Sequence, residues 1–272
     1  MKTIREPAVA GMFYPASADK LKDEVQLLLD RFKPEQNFQT VFGIVSPHAG
    51  YLYSGKTAAY AFNSVANKKY KTVVIISPSH REYFPGISIY SGDAYKTPLG
   101  DVPLNKEMIS KLSDNEKSIF VGLNGHRAEH AVEVQIPFLQ MIMKDFSIVP
   151  IVIGDQRKMF IDGLAQKLAE VVDDETLIVA SSDLSHFHTK AEAYKIDSLL
   201  EKRIIDFDFE GLQNDLDNRT CEACGGGSIV AMMKAADILN IKKTAVLSRT
   251  DSGDITGDSS EVVGYLSAVV YS

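Results

Sequence analysis

The sequence predicts an α/β fold, a three-layer αβα sandwich with a mostly parallel central sheet. Short β-branched runs alternate with longer amphipathic stretches, the order that builds β-α-β units. Several of the short runs are apolar throughout, the pattern of strands covered on both faces. No Pro/Gly/Ser-rich hinge, repeat or low-complexity tract interrupts the chain, so residues 1–272 are expected to form one domain.

Taken in order, an amphipathic stretch at Ala18–Phe32 reads as the first helix, and Val41–Ser46 as the first buried strand. A helix over Ser54–Val65 follows, then the strand TVVIIS at 72–77 and a shorter one at Ile87–Tyr90. Ala128–Met143 carries a helical pattern with Val134, Ile136 and Phe138 facing the core, and it passes without a long linker into the strand Ile148–Ile153. Met159–Val172 is the next helix and Thr176–Ser181 the next strand. The helices Lys190–Ile205 and Glu222–Leu239 precede two closing strands, Thr244–Arg249 and Val262–Val270.

Composition narrows the function. The 272 residues are 45% hydrophobic with a net charge of −7, enough apolar material for a core and too little charge for disorder. No apolar run approaches the ~20 residues that span a bilayer. No secretory signal is expected, and an acidic chain without a basic block is a poor partner for nucleic acid. Two cysteines, Cys221 and Cys224, cannot make a disulfide scaffold; their spacing suggests intracellular chemistry and a cytoplasmic protein.

The six histidines carry the sharpest signal. Three strands each deliver one just past their carboxyl end: Ser46-Pro47-His48, Ser77-Pro78-Ser79-His80, and TLIVASS followed by Asp183-Leu184-Ser185-His186. In open α/β sheets that edge is where ligands bind, so His48, His80 and His186 are expected to share a site. His126, His130 and Glu133 have the spacing of one helix face, and His130 is a further candidate for the site. HExxH is absent, which removes the metalloprotease reading. Cys224 stands before three glycines and an apolar helical run, where backbone can approach a ligand closely and a helix N-terminus favours a thiolate. Cys221, His126 and His188 are expected to be structural.

Two motifs mislead. Gly50–Thr57 matches GxxxxGK[ST], yet Tyr51, Leu52 and Tyr53 are bulky for a phosphate loop and no strand ending directly in a magnesium-binding Asp follows. Lys56 and Thr57 are read instead as the exposed start of a helix. Asp251–Asp258 resembles a cation loop but lacks the EF-hand rhythm and distal Glu, so it reads as turns.

The segments REPAVAGMFYP (5–15), PHAGYLYSG (47–55), SPSH (77–80), EHAVEVQIPFLQ (129–140), SSDLSHF (181–187), EACGGG (222–227) and SGDITGDSSEVVGY (252–265) resemble the Memo family in order and spacing. Relatives in bacteria and archaea often belong to the set called AmmeMemoRadiSam, which implies radical-SAM and other partners from that system. The family is similar in fold to the class III extradiol dioxygenases, non-haem iron enzymes that cleave catechol-type rings. The resemblance implies His48 and His80 as metal ligands, with Cys224 where the dioxygenases place a carboxylate. It also implies His186 as an acid/base group, with Asp183 available to orient it or to bind metal, and His130 as a second polar wall. The leading expectation is an Fe(II)-dependent, dioxygenase-like oxidoreductase acting on a small aromatic molecule, with Cu or Zn as other metals. A peptide- or protein-binding module, its groove lined by Tyr14, Tyr51, Tyr53 and Phe187, is the competing class; a zinc hydrolase is a third.

Overall fold

Burial decides where the strands go. In the computed structural model, which describes residues 2–114 and 118–272, twelve strands form two sheets. They are β1 (Ile4–Arg5), β2 (Val41–Ser46), β3 (Thr72–Pro78), β4 (Ile87–Tyr90), β5 (Ala94–Thr97), β6 (Gly100–Pro103), β7 (Ile119–Gly122), β8 (Ser147–Ile153), β9 (Thr176–Ser181), β10 (His186–His188), β11 (Lys243–Asp251) and β12 (Val262–Tyr271). β1, β5 and β6 make a small sheet; the other nine make the large one, in the order β10-β12-β2-β9-β3-β8-β4-β7 with β11 also on β12. The four central strands β2, β9, β3 and β8 run parallel, while β12 and β4 join antiparallel on either side.

Those central strands are the continuous apolar runs of the sequence. Every residue of β2, β3 and β9 is buried, because helices cover both faces. One layer holds the helices Ala18–Arg31, Tyr51–Val65 and Ile136–Ile142; the other holds Lys158–Val171, Lys190–Ile205, Phe209–Asp217 and Gly226–Ile238. The result is the expected αβα sandwich. None of the described helices is long and apolar enough to cross a membrane.

Three readings need correction. The segment 128–143 is not one helix: residues 126–132 are turns, bends and irregular backbone, Glu133–Gln135 is a single 3₁₀ turn, and the α-helix begins only at Ile136. His126, His130 and Glu133 therefore do not share a helix face. One cause is local and one long-range: Glu129 turns its carboxylate onto the amides of His130 and Ala131, and Arg5, 121 or more positions away, binds the carbonyls of His126 and Glu129. The helix expected from Glu222 starts at Gly226, after the Cys224 loop. The helix expected from Ser54 starts at Tyr51, and Thr57 is buried on its inner face against Thr250, whereas Lys56 is exposed. Since residues 51–57 are helical, no phosphate-wrapping loop exists there. The acidic segment 251–258 is turns and one helical turn, with Asp251 and Asp254 paired to Lys190.

Candidate metal centre

The strand order explains why distant histidines meet. β9 lies between β2 and β3, so their carboxyl ends stand two strand spacings apart, about 9.5 Å. His48 leans in from the loop after β2 and His80 from the loop after β3; their ring centroids are 5.0 Å apart above the end of β9. The fourth element is the loop before the helix Gly226–Ile238, which rests on β9. There Cys224 N donates to Asp183 O (3.3 Å), and Gly225 N donates to Ser182 Oγ (3.0 Å). A Cβ at Gly225 would run into the Ser181 carbonyl oxygen, so only glycine permits this approach.

The loop delivers the Cys224 thiol to the histidines. Its Sγ is 3.1 Å from His48 Nε2, and one ligand atom from each of His48, His80 and Cys224 lies within 4.8 Å of the other two. A tetrahedral metal with Zn-like bond lengths separates its ligand atoms by about 3.5 Å, so this set fits a transition ion with little movement. Donor chemistry agrees: two imidazoles and a thiol suit Fe(II), Cu or Zn and disfavour magnesium or calcium.

His130 completes a ring of three histidines. It stacks on His80 (4.7 Å between centroids, 27° between planes), and the edge of Phe13 packs against it at 4.8 Å. His80, Glu129 and His130 also form a second close group. Glu129 is occupied with protein donors. Its carboxylate accepts from His80 N (2.7 Å), His130 N (2.8 Å) and Ala131 N (2.9 Å), and it lies 2.9 Å from His80 Nδ1. Burial alone would push this carboxyl up; those hydrogen bonds and the His80 ring hold it down at about 2.

Burial sets the remaining charges. His48 is fully buried and its pKa falls to about 3, from burial first and the neighbouring His80 second. Burial likewise takes His130 to about 4, with His48 adding to the effect. Both rings are therefore neutral at pH 7, the form that binds metal. Burial pushes the Cys224 thiol up, and the Asp183 carboxylate beside it adds to this. Asp183 is itself buried and raised by burial, while its Oδ1 accepts from His48 N at 2.7 Å.

A cleft of about 370 Å³ opens over the three histidines. Its walls are Met12, Phe13, Tyr53, Val263 and Tyr265, with His186 and Asp183 on its floor side. His186 Nδ1 lies 2.8 Å from the Leu184 carbonyl, and a register shift in the β10–β12 pairing with left-handed Phe187 (φ 62°) fixes the loop that presents it. Five of the six expected residues, His48, His80, His130, His186 and Asp183, thus line this cleft, while Cys224 touches His48 from behind and lines a neighbouring cleft with His186. His126 lines neither: it is buried between Tyr95 and Ser88. His188 pairs with Glu222, and Cys221 is buried in the core. Of the aromatic residues expected in a groove, Tyr53 lines the cleft and Phe187 is exposed beside His186. Tyr14 and Tyr51 are core residues that donate to Glu133 Oε1 and Val134 O.

Glu129, Ser181, Gln135 and Phe13 were missed. Each stands within a string the resemblance carries or directly beside it, but no spacing rule marks them, since their partners are 46 or more positions away or reached through a turn.

The class is thus an αβα sandwich with two histidines and a thiol converging at the carboxyl edge of its parallel strands. The chain belongs to the Memo family: the family model described as Memo-like protein matches residues 5–269. A MEMO1 family protein of Thermoplasma volcanium is 37% identical over 98% of both chains, and one of Thermotoga neapolitana is 38% identical over 98% of this chain and 99% of its own. Among solved structures, an uncharacterized protein of Escherichia coli K12 shares the fold. Its TM-score is 0.57 at 13% identity, covering 84% of this chain and 98% of that one.

Proposed function

We propose that this protein is a non-haem iron-dependent oxidoreductase of the dioxygenase-like kind, acting on a small aromatic molecule, with the metal held by His48, His80 and Cys224. The observation that carries the reading is the convergence of those three donors, two of which, His48 and His80, line a cleft with apolar walls. Held by those residues, Fe(II) would supply one-electron chemistry toward substrate and oxygen.

The chain's own residues do the rest. Met12, Phe13, Tyr53 and Val263 bind the flat apolar body of the substrate and exclude water. His186, tied through Nδ1 to the Leu184 carbonyl, has Nε2 left to exchange a proton with a substrate hydroxyl. Asp183 fixes the His48 backbone, and His130 supplies a neutral polar wall. A site that needs a free thiol fits the reducing cytoplasm.

Anaerobic loading with Fe(II), followed by oxygen uptake with a panel of catechols, tests the reaction. Uptake with at least one catechol, at least a hundredfold slower in a His186→Ala variant that keeps its iron, is expected. Iron-loaded protein that consumes no oxygen with any member would contradict it. A peptide- or protein-binding module is the second reading, favoured by Met12 and Tyr53 standing exposed at the cleft mouth. Capture of a peptide that survives loss of all three donors would favour that module.

A further inference from the structure

The hydrogen bonds behind the two histidines differ in kind, and each can be followed to its end. His48 Nδ1 lies 2.9 Å from Ser181 Oγ. That hydroxyl has one proton, which it donates to the Ala131 carbonyl at 2.8 Å, and a carbonyl only accepts. Ser181 Oγ also accepts from the Gln135 amide at 2.8 Å, and the same Gln135 nitrogen donates to the Pro47 carbonyl at 2.9 Å. Two acceptors around the Gln135 nitrogen fix its amide orientation. With its proton committed, Ser181 Oγ can only accept from His48, so His48 carries its proton on Nδ1 and its lone pair on Nε2. All five residues are buried, so no water competes.

His80 reaches the same tautomer by another route. Its Nδ1 faces Glu129 Oε1 at 2.9 Å, an oxygen that already accepts the amides of His130 and Ala131 and so acts as an acceptor toward the ring. Nε2 is again bare.

We propose that Ser181, steered by Gln135, and Glu129 are positioning residues that preset the Nε2 lone pairs of His48 and His80 before any metal arrives. The two supports are unequal: a carboxylate makes His80 the more basic donor, while a neutral hydroxyl leaves His48 the weaker one. His80 is the anchor of the metal and His48 the ligand that lets go first. This rests on the metal-binding reading above, and its first test does not.

That test is nitrogen NMR of the histidine rings in the metal-free protein at pH 7. Wild type is expected to show His48 protonated on Nδ1 and bare on Nε2; a His48 protonated on Nε2 overturns the proposal, whatever any variant does. In Ser181→Ala the acceptor is gone, and His48 is expected to move its proton to Nε2, facing Cys224 Sγ. An unchanged His48 tautomer in that variant also overturns it. Titration with Co²⁺ alone gives the second arm. Glu129→Gln and Ser181→Ala are each expected to lose ten- to a hundredfold in affinity, Glu129→Gln the more. Equal or unmeasurable losses contradict the anchor assignment. Wild type that binds no Co²⁺ overturns the metal reading and leaves the tautomer result to stand or fall alone.

Discussion

Cys224 Sγ and His48 Nε2 lie 3.1 Å apart although 176 positions separate them in the chain. His48 is neutral and its Nδ1 is taken by Ser181, so the contact is a thiol facing an imidazole lone pair. Burial keeps that thiol protonated well above pH 7. Metal must therefore displace a proton from sulfur. Loading with Zn²⁺ at pH 7 is expected to release one proton from Cys224. The apparent affinity should rise about tenfold per pH unit between pH 6 and 8, because the thiol stays protonated across that range and each bound ion displaces one proton. Calorimetry in two buffers of different ionisation heat measures the release; affinity that does not change with pH would exclude the thiol as a ligand.

His126 gives a pH dependence of stability away from the metal centre. Burial takes its folded pKa to about 3, while the unfolded chain protonates it near 6.5. The unfolded state then binds the extra proton, so its contribution is full above pH 6.5. It is lost as pH falls toward 3, by about 1.4 kcal/mol per pH unit. Urea unfolding at pH 7 and pH 5 should show a stability loss that is smaller in His126→Gln, measured against that variant's own pH 7 value. An identical loss in both proteins would assign the acid sensitivity elsewhere.

Glu133 ties the N-terminal wall of the cleft to the sheet. Its buried carboxylate accepts from the Arg5 guanidinium, the amides of Ala8 and Val9, and the Tyr14 hydroxyl. Glu133→Ala leaves the buried Arg5 uncompensated and should cost about 3–5 kcal/mol. Met12 and Phe13 lie within the strap it holds, so amide hydrogen exchange over residues 8–14 should speed up more than exchange in β3. Uniform speeding across both would mean global unfolding rather than release of the strap.

The sheet was legible because its strands are written as unbroken apolar runs, and three histidines at the ends of such runs pointed to one edge. The site's neighbours were not legible. Residues 126–135 have helical spacing, yet Glu129 and Arg5 draw their backbone into turns through contacts that only the folded chain makes. Phe187 sits at positive φ for a reason set by the β10–β12 register shift, which no local pattern announces. Cys224 was placed by its glycines, but the need for glycine at 225 comes from Ser181 on another strand.

That need is itself testable. Gly225→Ala sets a methyl against the Ser181 carbonyl and should destabilise the protein by about 3 kcal/mol while moving the Cys224 loop off β9. A drop in Tm together with faster alkylation of Cys224 by iodoacetamide is expected. An unchanged alkylation rate would show that the loop does not depend on this contact.

The most direct measurement is metal analysis of protein purified without an affinity tag, wild type beside a His48→Ala/His80→Ala variant. The wild type is expected to hold about one equivalent of a transition metal, iron first, with the variant empty and still folded. Full occupancy in the folded variant would contradict the assignment of His48, His80 and Cys224 as the metal site.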